Sequence, residues 1–349
     1  MDHDAALTPI EPIPPALIPP AQPSTLRKVF IGKDGLRAGW SLLIYVVILV
    51  AIGFSVTLIV QKFYPRPLPS DMAKLTQNMP PKFFLLNETI PFLMVFLVTW
   101  IMSKIERRPN SVYGFGGNRK LPQFFAGLAW GVTCLSLLVL ILWKAGFLVI
   151  DSRLLFGADI LRYGAIWLFG FLLVGLFEEY LMRGYLQFTL TRGLAGLYQA
   201  IFKSRHSAAL GFWTAALLLS TLFGLGHGSN PGESPIGLVS AGLAGLLFCF
   251  ALWRTGSLWW AIGFHTSWDW AQSFLYGVAD SGMMVQHHLL ATHAVGKPIL
   301  SGGATGPEGS AFIMVVFAVA SGIIVFTLPR AHSSTPEQST NSNLASAGV

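Results

Sequence analysis

The chain has 349 residues, of which 53% are hydrophobic and only 11% are charged, whereas soluble domains carry about 25% charged residues. Together with a mean hydropathy of +0.59, this composition excludes a soluble globule and indicates a polytopic helical membrane protein. The formal net charge of +7 does not indicate a nucleic-acid partner, because basic residues in membrane proteins gather in cytoplasmic loops and set the topology.

The N-terminal stretch, residues 1–26, is rich in proline and includes EPIPPALIPPAQP. Such a segment forms neither a helix nor a packed core, and it lacks the basic start and apolar stretch of a cleavable signal. We predict that residues 1–39 are a disordered cytoplasmic tail and that residues 331–349 are a second disordered tail. The basic residues that would anchor the first span on the inside are Arg27, Lys28, Lys33 and Arg37.

The remaining chain, residues 40–330, is predicted to be an all-α transmembrane domain of about eight spans, since a spanning helix needs about 20 mostly apolar residues. The predicted spans are 40–61, 84–103, 123–143, 164–190, 208–228, 235–253, 257–277 and 310–328. The distribution of basic loop residues places both termini in the cytoplasm. Cys134 and Cys249 both lie in apolar runs and are expected to be packing residues rather than a disulfide.

The fourth span, LFGFLLVGLFEEYLMRGYLQFTL, carries Glu178, Glu179 and Arg183 in its middle. Each ionisable group at membrane depth costs at least about 2.5–3.5 kcal/mol. Glu179 and Arg183 are four residues apart and can pair on one helix face, so they are either a structural ion pair or part of a site. Glu178 points roughly 100° away and has to find a partner on another helix.

Two later helices offer such partners. His227 precedes Gly-Ser-Asn-Pro-Gly at a helix end, where a histidine is ordinarily a residue at the water interface. His265 and Asp269 share a helix face, so the carboxylate could orient the imidazole, although the backbone or another helix could do so equally. The long loop from Asp280 to Gly309 carries further histidines that we expect to be solvated rather than metal-bound: His287, His288 and His293.

One glutamate and two histidines on three helices form a chemically sensible set for hydrolysis. Glu178 can take a proton from water, while His227 and His265 bind a metal that lowers the pKa of that water, or hold the water and the oxyanion without a metal. The predicted spans conflict with this set, because they leave His227 roughly 20 Å in depth from the other two residues. Glu88 in the second span has either a place in the site or a basic loop residue as its partner.

The order Glu-Glu-x-x-x-Arg, Phe-x-x-x-His, His-x-x-x-Asp resembles the pattern of the CAAX-protease and bacteriocin-processing family of intramembrane proteases, also called the ABI family. The motif core covers about residues 165–275. The resemblance implies that Glu178 is the general base, that His227 and His265 hold the water or a metal, and that Asp269 polarises the site. It gives the following residues a structural role: Glu179, Arg183 and Phe223.

The same resemblance implies an intramembrane endopeptidase, and the prototypes of the family remove the last three residues of prenylated CAAX proteins. The implied cofactor is a divalent metal, zinc, held by Glu178, His227 and His265, or no metal at all. The implied partners are membrane lipids and a peptide or protein substrate, and the implied location is the cell membrane of a bacterium. Two rival functions stay open: a non-catalytic binding or bacteriocin-immunity protein, and a transporter that uses the same residues as a proton relay.

Overall fold

The structure is a computed structural model that describes residues 29–63, 74–117 and 119–330. Most of the chain is helical. The predicted C-terminal tail, and residues 1–28 of the predicted N-terminal tail, lie outside the described residues. Within the predicted N-terminal tail, a short hairpin pairs β1 (Ile31–Gly32) with β2 (Gly35–Leu36).

The helices are numbered in chain order. They are α1 (Ala38–Phe63), α2 (Pro81–Glu106), α3 (Lys120–Lys144), α4 (Ala158–Glu179), α5 (Gln187–Phe202), α6 (Ser207–Gly226), α7 (Pro235–Thr255), α8 (Trp259–Trp270), α9 (Pro298–Ser301) and α10 (Ile313–Thr327). A π-helical segment follows α4 (Tyr180–Leu186), and another follows α8 (Ala271–Leu275). Two strands lie between helices: β3 (Leu148–Arg153) and β4 (Leu290–Ala294).

Six helical stretches in the described part of the chain are long and apolar enough to cross a membrane. They are Ala38–Phe63, Pro81–Glu106, Lys120–Lys144, Ala158–Phe202, Ser207–Ser229 and Pro235–Thr255. The other two predicted spans correspond to shorter helices, since α8 has 12 residues and α10 has 15. The count of eight spans and the cytoplasmic termini therefore remain predictions.

The fourth predicted span is longer than the sequence indicated. We predicted an end at residue 190, but α4, the π-helical segment and α5 follow one another without a break as far as Phe202. α6 packs against α5, and the Gln187 Nε2 donates to the Phe212 carbonyl at 3.0 Å. The helical continuity keeps Glu178 in the middle of its span, which is now a 45-residue helical stretch.

α8 lies at the centre of the bundle and packs against α3 on one side and α4 on the other. The contact with α3 depends on small residues. A Cβ added to Gly127 would lie 2.2 Å from the Trp260 carbonyl oxygen, and a Cβ added to Gly263 would lie 2.2 Å from the Phe124 carbonyl oxygen. Such small residues let helix backbones approach closely, as membrane helices require when lipid supplies no hydrophobic driving force.

The connection between α8 and α10 is an ordered structure rather than a simple loop. β4 pairs antiparallel with β3, with Leu148 opposite Ala294 and Arg153 opposite Leu290. This small sheet was not predicted, because each strand is short and its partner is distant in the chain. Through β4, this sheet attaches the connection between α8 and α10 to β3, which follows α3.

We predict that Gly127→Ala destabilises the protein by about 2 kcal/mol or more, because the added methyl group overlaps the α8 backbone and overpacking typically costs about 1–3 kcal/mol. Thermal unfolding in mild detergent measures the effect. The matched control is Gly322→Ala on α10, where a Cβ meets nothing within 4 Å. Equal stability of the two variants would contradict the tight α3–α8 contact.

Candidate active site

The acidic residues of the motifs lie where two helices change their winding. Glu178 and Glu179 are the last residues of α4 and directly precede the π-helical segment that contains Arg183. Asp269 is the next-to-last residue of α8, two residues before the second π-helical segment begins. π-helical turns are rare and frequently occur at functional sites. Both helices that carry motif carboxylates therefore have this irregularity next to those carboxylates.

A buried ion pair forms the base of the site. Arg183 Nη1 donates to Glu179 Oε1 at 3.0 Å, and the two side chains are 2% and 0% exposed. The same Glu179 oxygen also accepts a hydrogen bond from His265 Nδ1 at 3.0 Å. The sequence pattern predicted Glu179 and Arg183 as a pair that satisfies itself locally. The structure adds α8 to this pair, because the glutamate bonds the arginine on its own helix and the histidine on another.

His265 is held between three carboxylates. Its Nδ1 donates to Glu179, while its Nε2 lies 3.4 Å from Asp269 Oδ2 and 3.7 Å from Glu178 Oε2. The sequence allows Asp269, the backbone or another helix to orient this ring, and Glu179 on α4 makes the shorter contact. Glu178, which has no partner on its own helix, faces His265 with 23% of its side chain exposed.

The close approach of α4 and α8 depends on a glycine one turn before the glutamates. A Cβ on Gly175 would lie 2.9 Å from Thr266 Oγ1 and 3.2 Å from the Ile262 carbonyl oxygen. Because there is no side chain at this position, α8 reaches α4 closely enough for His265 to contact both glutamates. The contact follows from local packing, which the motif spacing alone did not reveal.

His227 reaches the site from the C-terminal end of α6. Its Nδ1 lies 2.8 Å from the Phe223 carbonyl oxygen, and because a carbonyl only accepts, Nδ1 carries the proton and Nε2 is left for another partner. The guanidinium of Arg183 lies 4.2 Å above the Phe223 ring, and that ring packs edge-on against His227. Phe223 thus connects the buried ion pair to the second histidine.

Glu178, His265, Asp269 and His227 line one cavity of about 430 Å³ inside the bundle. Its polar lining includes Glu88, Glu178, His227, Asn230, Ser240, His265, Asp269, Asp280, Ser281 and Glu308. Its apolar walls include Phe84, Phe171, Phe177, Leu222, Leu247, Phe264 and Phe317. Water-accessible polar groups within apolar walls are the usual arrangement of a small-molecule or peptide site.

The difference in depth that the sequence suggested is not present in the structure. Glu178 and His227 line the same cavity, whereas the predicted spans separated them by roughly 20 Å. The error came from the early end given to the fourth span. Because α5 extends to Phe202, α6 begins about as far from Glu178 along the bundle as α6 is long. α6 then runs back, so its C-terminal end lies at the level of Glu178.

Two further carboxylates of the cavity, Asp280 and Glu308, lie on the long connection after α8 and belong to none of the three motifs. Asp280 Oδ2 accepts from Ser273 Oγ at 3.2 Å, and Glu308 Oε1 accepts from the Ser281 backbone N–H at 2.6 Å. Burial raises the pKa of Asp280 to about 6 and also raises the pKa of Glu308, to which the nearby charge of Asp280 adds. An acidic residue inside a Gly-rich segment, GATGPEGS, was the available signal for Glu308.

Glu88 on α2 also lines the cavity. We expected a basic loop residue as its partner if it stood outside the site. Its carboxylate instead accepts a hydrogen bond from its neighbour Asn87 at 2.9 Å. Glu88 therefore belongs to the wall of the cavity.

The loop histidines do not converge. His287 stacks on Tyr163 with the ring centroids 4.1 Å apart, and His288 Nδ1 donates to the Leu290 carbonyl at 2.7 Å. His293 Nδ1 lies 2.7 Å from Asp151 Oδ2 on β3, where both side chains are exposed. Each ring has a different partner, so the described geometry gives these residues a part in holding the connection.

The donor set of the cavity does not fit a bound metal in this structure. A zinc ion needs ligands that converge on one point at about 2.0–2.2 Å. His265 directs one nitrogen to Glu179 and the other to Glu178 and Asp269. Over residues 29–63, 74–117 and 119–330, no three His, Cys, Asp or Glu side chains are arranged to hold a metal ion. The ligand set of Glu178, His227 and His265 remains a prediction.

We predict that Glu179→Gln and Arg183→Met each destabilise the protein by about 3–5 kcal/mol, because each leaves a buried charge without its partner. The double variant is expected to lose less than either single variant loses, since it buries no charge. Thermal or denaturant unfolding in detergent measures all three. Additive losses in the double variant would show that the two side chains do not depend on each other.

We predict that Asp280→Asn becomes more stable relative to the wild type as the pH rises from 4 to 7. The native Asp280 keeps its proton up to about pH 6, whereas an unfolded carboxyl loses it near about pH 4. The native state then binds more protons in this window, and wild-type stability falls as the pH rises through it. The expected difference is on the order of 3 kcal/mol. Unfolding of the wild type and of Asp280→Asn as a function of pH measures it.

Comparison with protein families gives a match over part of the chain. Residues 160–271 match the family model described as Type II CAAX prenyl endopeptidase Rce1-like. Comparisons with curated proteins and with solved structures gave no match. The matched segment runs from α4 to the start of the second π-helical segment and contains the three motifs. The chain, an integral membrane protein, therefore carries an Rce1-like peptidase domain at residues 160–271, which confirms the resemblance drawn from the motifs.

Proposed function

We propose that the protein is an intramembrane endopeptidase that hydrolyses a peptide bond with a water molecule activated by Glu178. The observation that carries the proposal is the arrangement around His265. A partly exposed glutamate, a histidine and a second histidine come from α4, α8 and the end of α6, and all line one cavity within an apolar bundle. The Rce1-like match over the same residues supports a peptidase.

Glu178 has the position of a general base. It lies at the cavity wall, and its nearest contact among the described ion pairs is His265 Nε2 at 3.7 Å, so its carboxylate oxygens can accept a hydrogen bond from water. A water molecule between Glu178 and the Nε2 of His227 would donate one hydrogen bond to each. Glu178 then takes the proton as the water oxygen attacks the carbonyl carbon of the substrate. Positioned general bases contribute about 10²–10⁴-fold to a rate.

His265 has the position of the group that stabilises the oxyanion. Glu179 holds its Nδ1, and Asp269 holds the other edge of the ring. In its doubly protonated form, Nε2–H donates to the oxygen that becomes negative in the tetrahedral intermediate. A donor that is already oriented needs no reorganisation at that moment, which is why such groups contribute strongly to catalysis. Glu179, Arg183 and Phe223 act as supports in this proposal.

The cavity walls indicate the kind of substrate. Aromatic and aliphatic side chains line the cavity together with the polar groups, with Phe171, Phe177 and Leu222 among them. A peptide segment that carries an apolar group next to the cleaved bond would bury that group against these walls. We therefore propose a lipid-associated peptide substrate, with a prenylated peptide as the first candidate.

We predict that Glu178→Gln lowers peptide cleavage at least about 100-fold, because the amide keeps the shape of the carboxylate but cannot accept the proton. The measurement is cleavage of prenylated and unprenylated peptides by the purified protein. The matched control is Asp159→Asn, an exposed carboxylate in the first turn of the same helix, which is expected to retain full activity. Melting temperatures verify that both variants are folded.

The same assay separates the rival functions. Undiminished cleavage by Glu178→Gln would overturn the proposed role of Glu178. A cellular phenotype that survives Glu178→Gln would favour a binding or immunity protein, and substrate uptake that depends on an ion gradient would favour a transporter. A parallel series with a chelator tests the metal: activity that persists supports catalysis by the side chains alone, and activity that is lost and then returns with added zinc supports a metal.

A further inference from the structure

Asp280 is a carboxylate of the cavity that has no role in the hydrolysis steps proposed above. It lies on the connection after α8, outside the three motifs, and lines the same cavity as Glu178 and both histidines. Its charge interacts with those of His265, Glu178 and His227. One residue from a different part of the chain is thus within electrostatic range of all three proposed catalytic groups.

The surrounding structure holds Asp280 firmly in place. Ser273, on the π-helical segment after Asp269, donates to Asp280 Oδ2 at 3.2 Å. Asp280 and Met283 exchange two backbone hydrogen bonds of 2.9 Å across a tight turn. The next residue, Ser281, has a φ of 45°, a left-handed conformation that is uncommon for a residue with a side chain.

The strain at Ser281 is retained because Glu308 fixes the turn. The Ser281 backbone N–H donates to Glu308 Oε1 at 2.6 Å, and Gln272 donates to the other Glu308 oxygen. The Gly282 N–H donates to the Thr305 carbonyl at 3.0 Å. Backbone strain of this kind persists only where neighbouring contacts impose it, and it concentrates at functional sites. The contacts here have one effect on chemistry: they hold the Asp280 carboxyl at the cavity.

Hydrolysis of a peptide bond requires an acid as well as a base. The leaving nitrogen must gain a proton as the C–N bond breaks, because an amine anion is far too basic to leave. A suitable acid has a pKa near the working pH, and burial raises the pKa of Asp280 to about 6. The charged and titratable groups that face Asp280 are Glu178 on α4, His227 at the end of α6, His265 and Asp269 on α8, and Glu308 on its own connection.

We propose that Asp280 is the general acid that protonates the leaving amine nitrogen of the peptide bond cleaved in this cavity. The proposal rests on the peptidase function proposed above. Water gives one proton to Glu178, and its oxygen forms the new bond to the carbonyl carbon. As the C–N bond breaks, Asp280 gives its proton to the nitrogen. The products are a carboxylic acid and an amine, and the proton on Glu178 returns to Asp280 through solvent.

The experiment compares two substrates that share the same acyl part and differ in the leaving group. One is a peptide amide, and the other is a 4-nitrophenyl ester, whose phenolate leaves without a proton. Asp280→Asn is expected to lower amide cleavage about 100-fold or more and ester cleavage by less than about tenfold. Glu178→Gln is expected to lower both, because both reactions need the attacking water. Asp280→Glu is expected to restore part of the amide cleavage.

Other results overturn the proposal. Equal losses on amide and ester in Asp280→Asn would mean that Asp280 only supports the structure, and unchanged amide cleavage would mean that another group is the acid. If the wild type cleaves neither substrate nor any peptide of the panel, the peptidase function itself fails, and this proposal fails with it. Asp159→Asn is the control for the loss of an exposed carboxylate.

A second measurement does not require turnover. Infrared difference spectra of the wild type and Asp280→Asn are expected to show a protonated carboxyl band that belongs to Asp280 and disappears as the pH rises through about 6. In the wild type, amide cleavage is expected to decline over the same range of rising pH. A spectrum in which Asp280 is ionised from pH 5 upward would overturn its role as an acid.

Discussion

The rest of the site depends on the buried ion pair between Glu179 and Arg183. Burying two charges inside a membrane bundle is costly, and such a pair is often no more stable than apolar residues of the same volume. Here the pair has a second effect. Glu179 holds His265 on α8, and Arg183 packs on the Phe223 ring that supports His227 on α6. A single pair therefore fixes the rings of both histidines.

Close helix packing makes this arrangement possible. α8 carries His265 and lies between α3 and α4, and glycines remove side chains where the backbones approach. Gly127 lies against the Trp260 carbonyl, and Gly175 lies against Ile262 and Thr266, on the turn of α8 that carries His265. In lipid, helices associate through this kind of packing rather than through a hydrophobic force. The precision of the site thus comes from the backbone contacts as much as from its ionisable residues.

The cavity has two walls of different origin. The helices supply the residues of the motifs, and the connection from Asp280 to Gly309 supplies two further carboxylates, Asp280 and Glu308. Glu308 accepts a hydrogen bond from the backbone N–H of Ser281, the residue next to Asp280. β3 and β4 pin this connection to the bundle. Because Asp280 and Glu308 come from a segment with little hydrophobic pattern, their position follows from the turn at Ser281 and from the glycines around Glu308. One of these, Gly306, has a φ of 113° and comes so close to Ala279 that a Cβ would not fit.

The sequence by itself determined the membrane class, the helical architecture and the motif triple, because apolar runs of about 20 residues form membrane helices and ionisable groups are too costly there to persist without a role. It also indicated that Glu178 needs a partner on another helix. Only the tertiary structure decided which groups meet. Helical spacing predicts contacts within one helix, such as Glu179 with Arg183, but it carries no information on the contact of Glu179 with His265, on the level of His227, or on the return of Asp280 to the cavity. Those depend on glycine contacts, on two π-helical segments and on a folded connection, all of which are set by packing between distant parts of the chain.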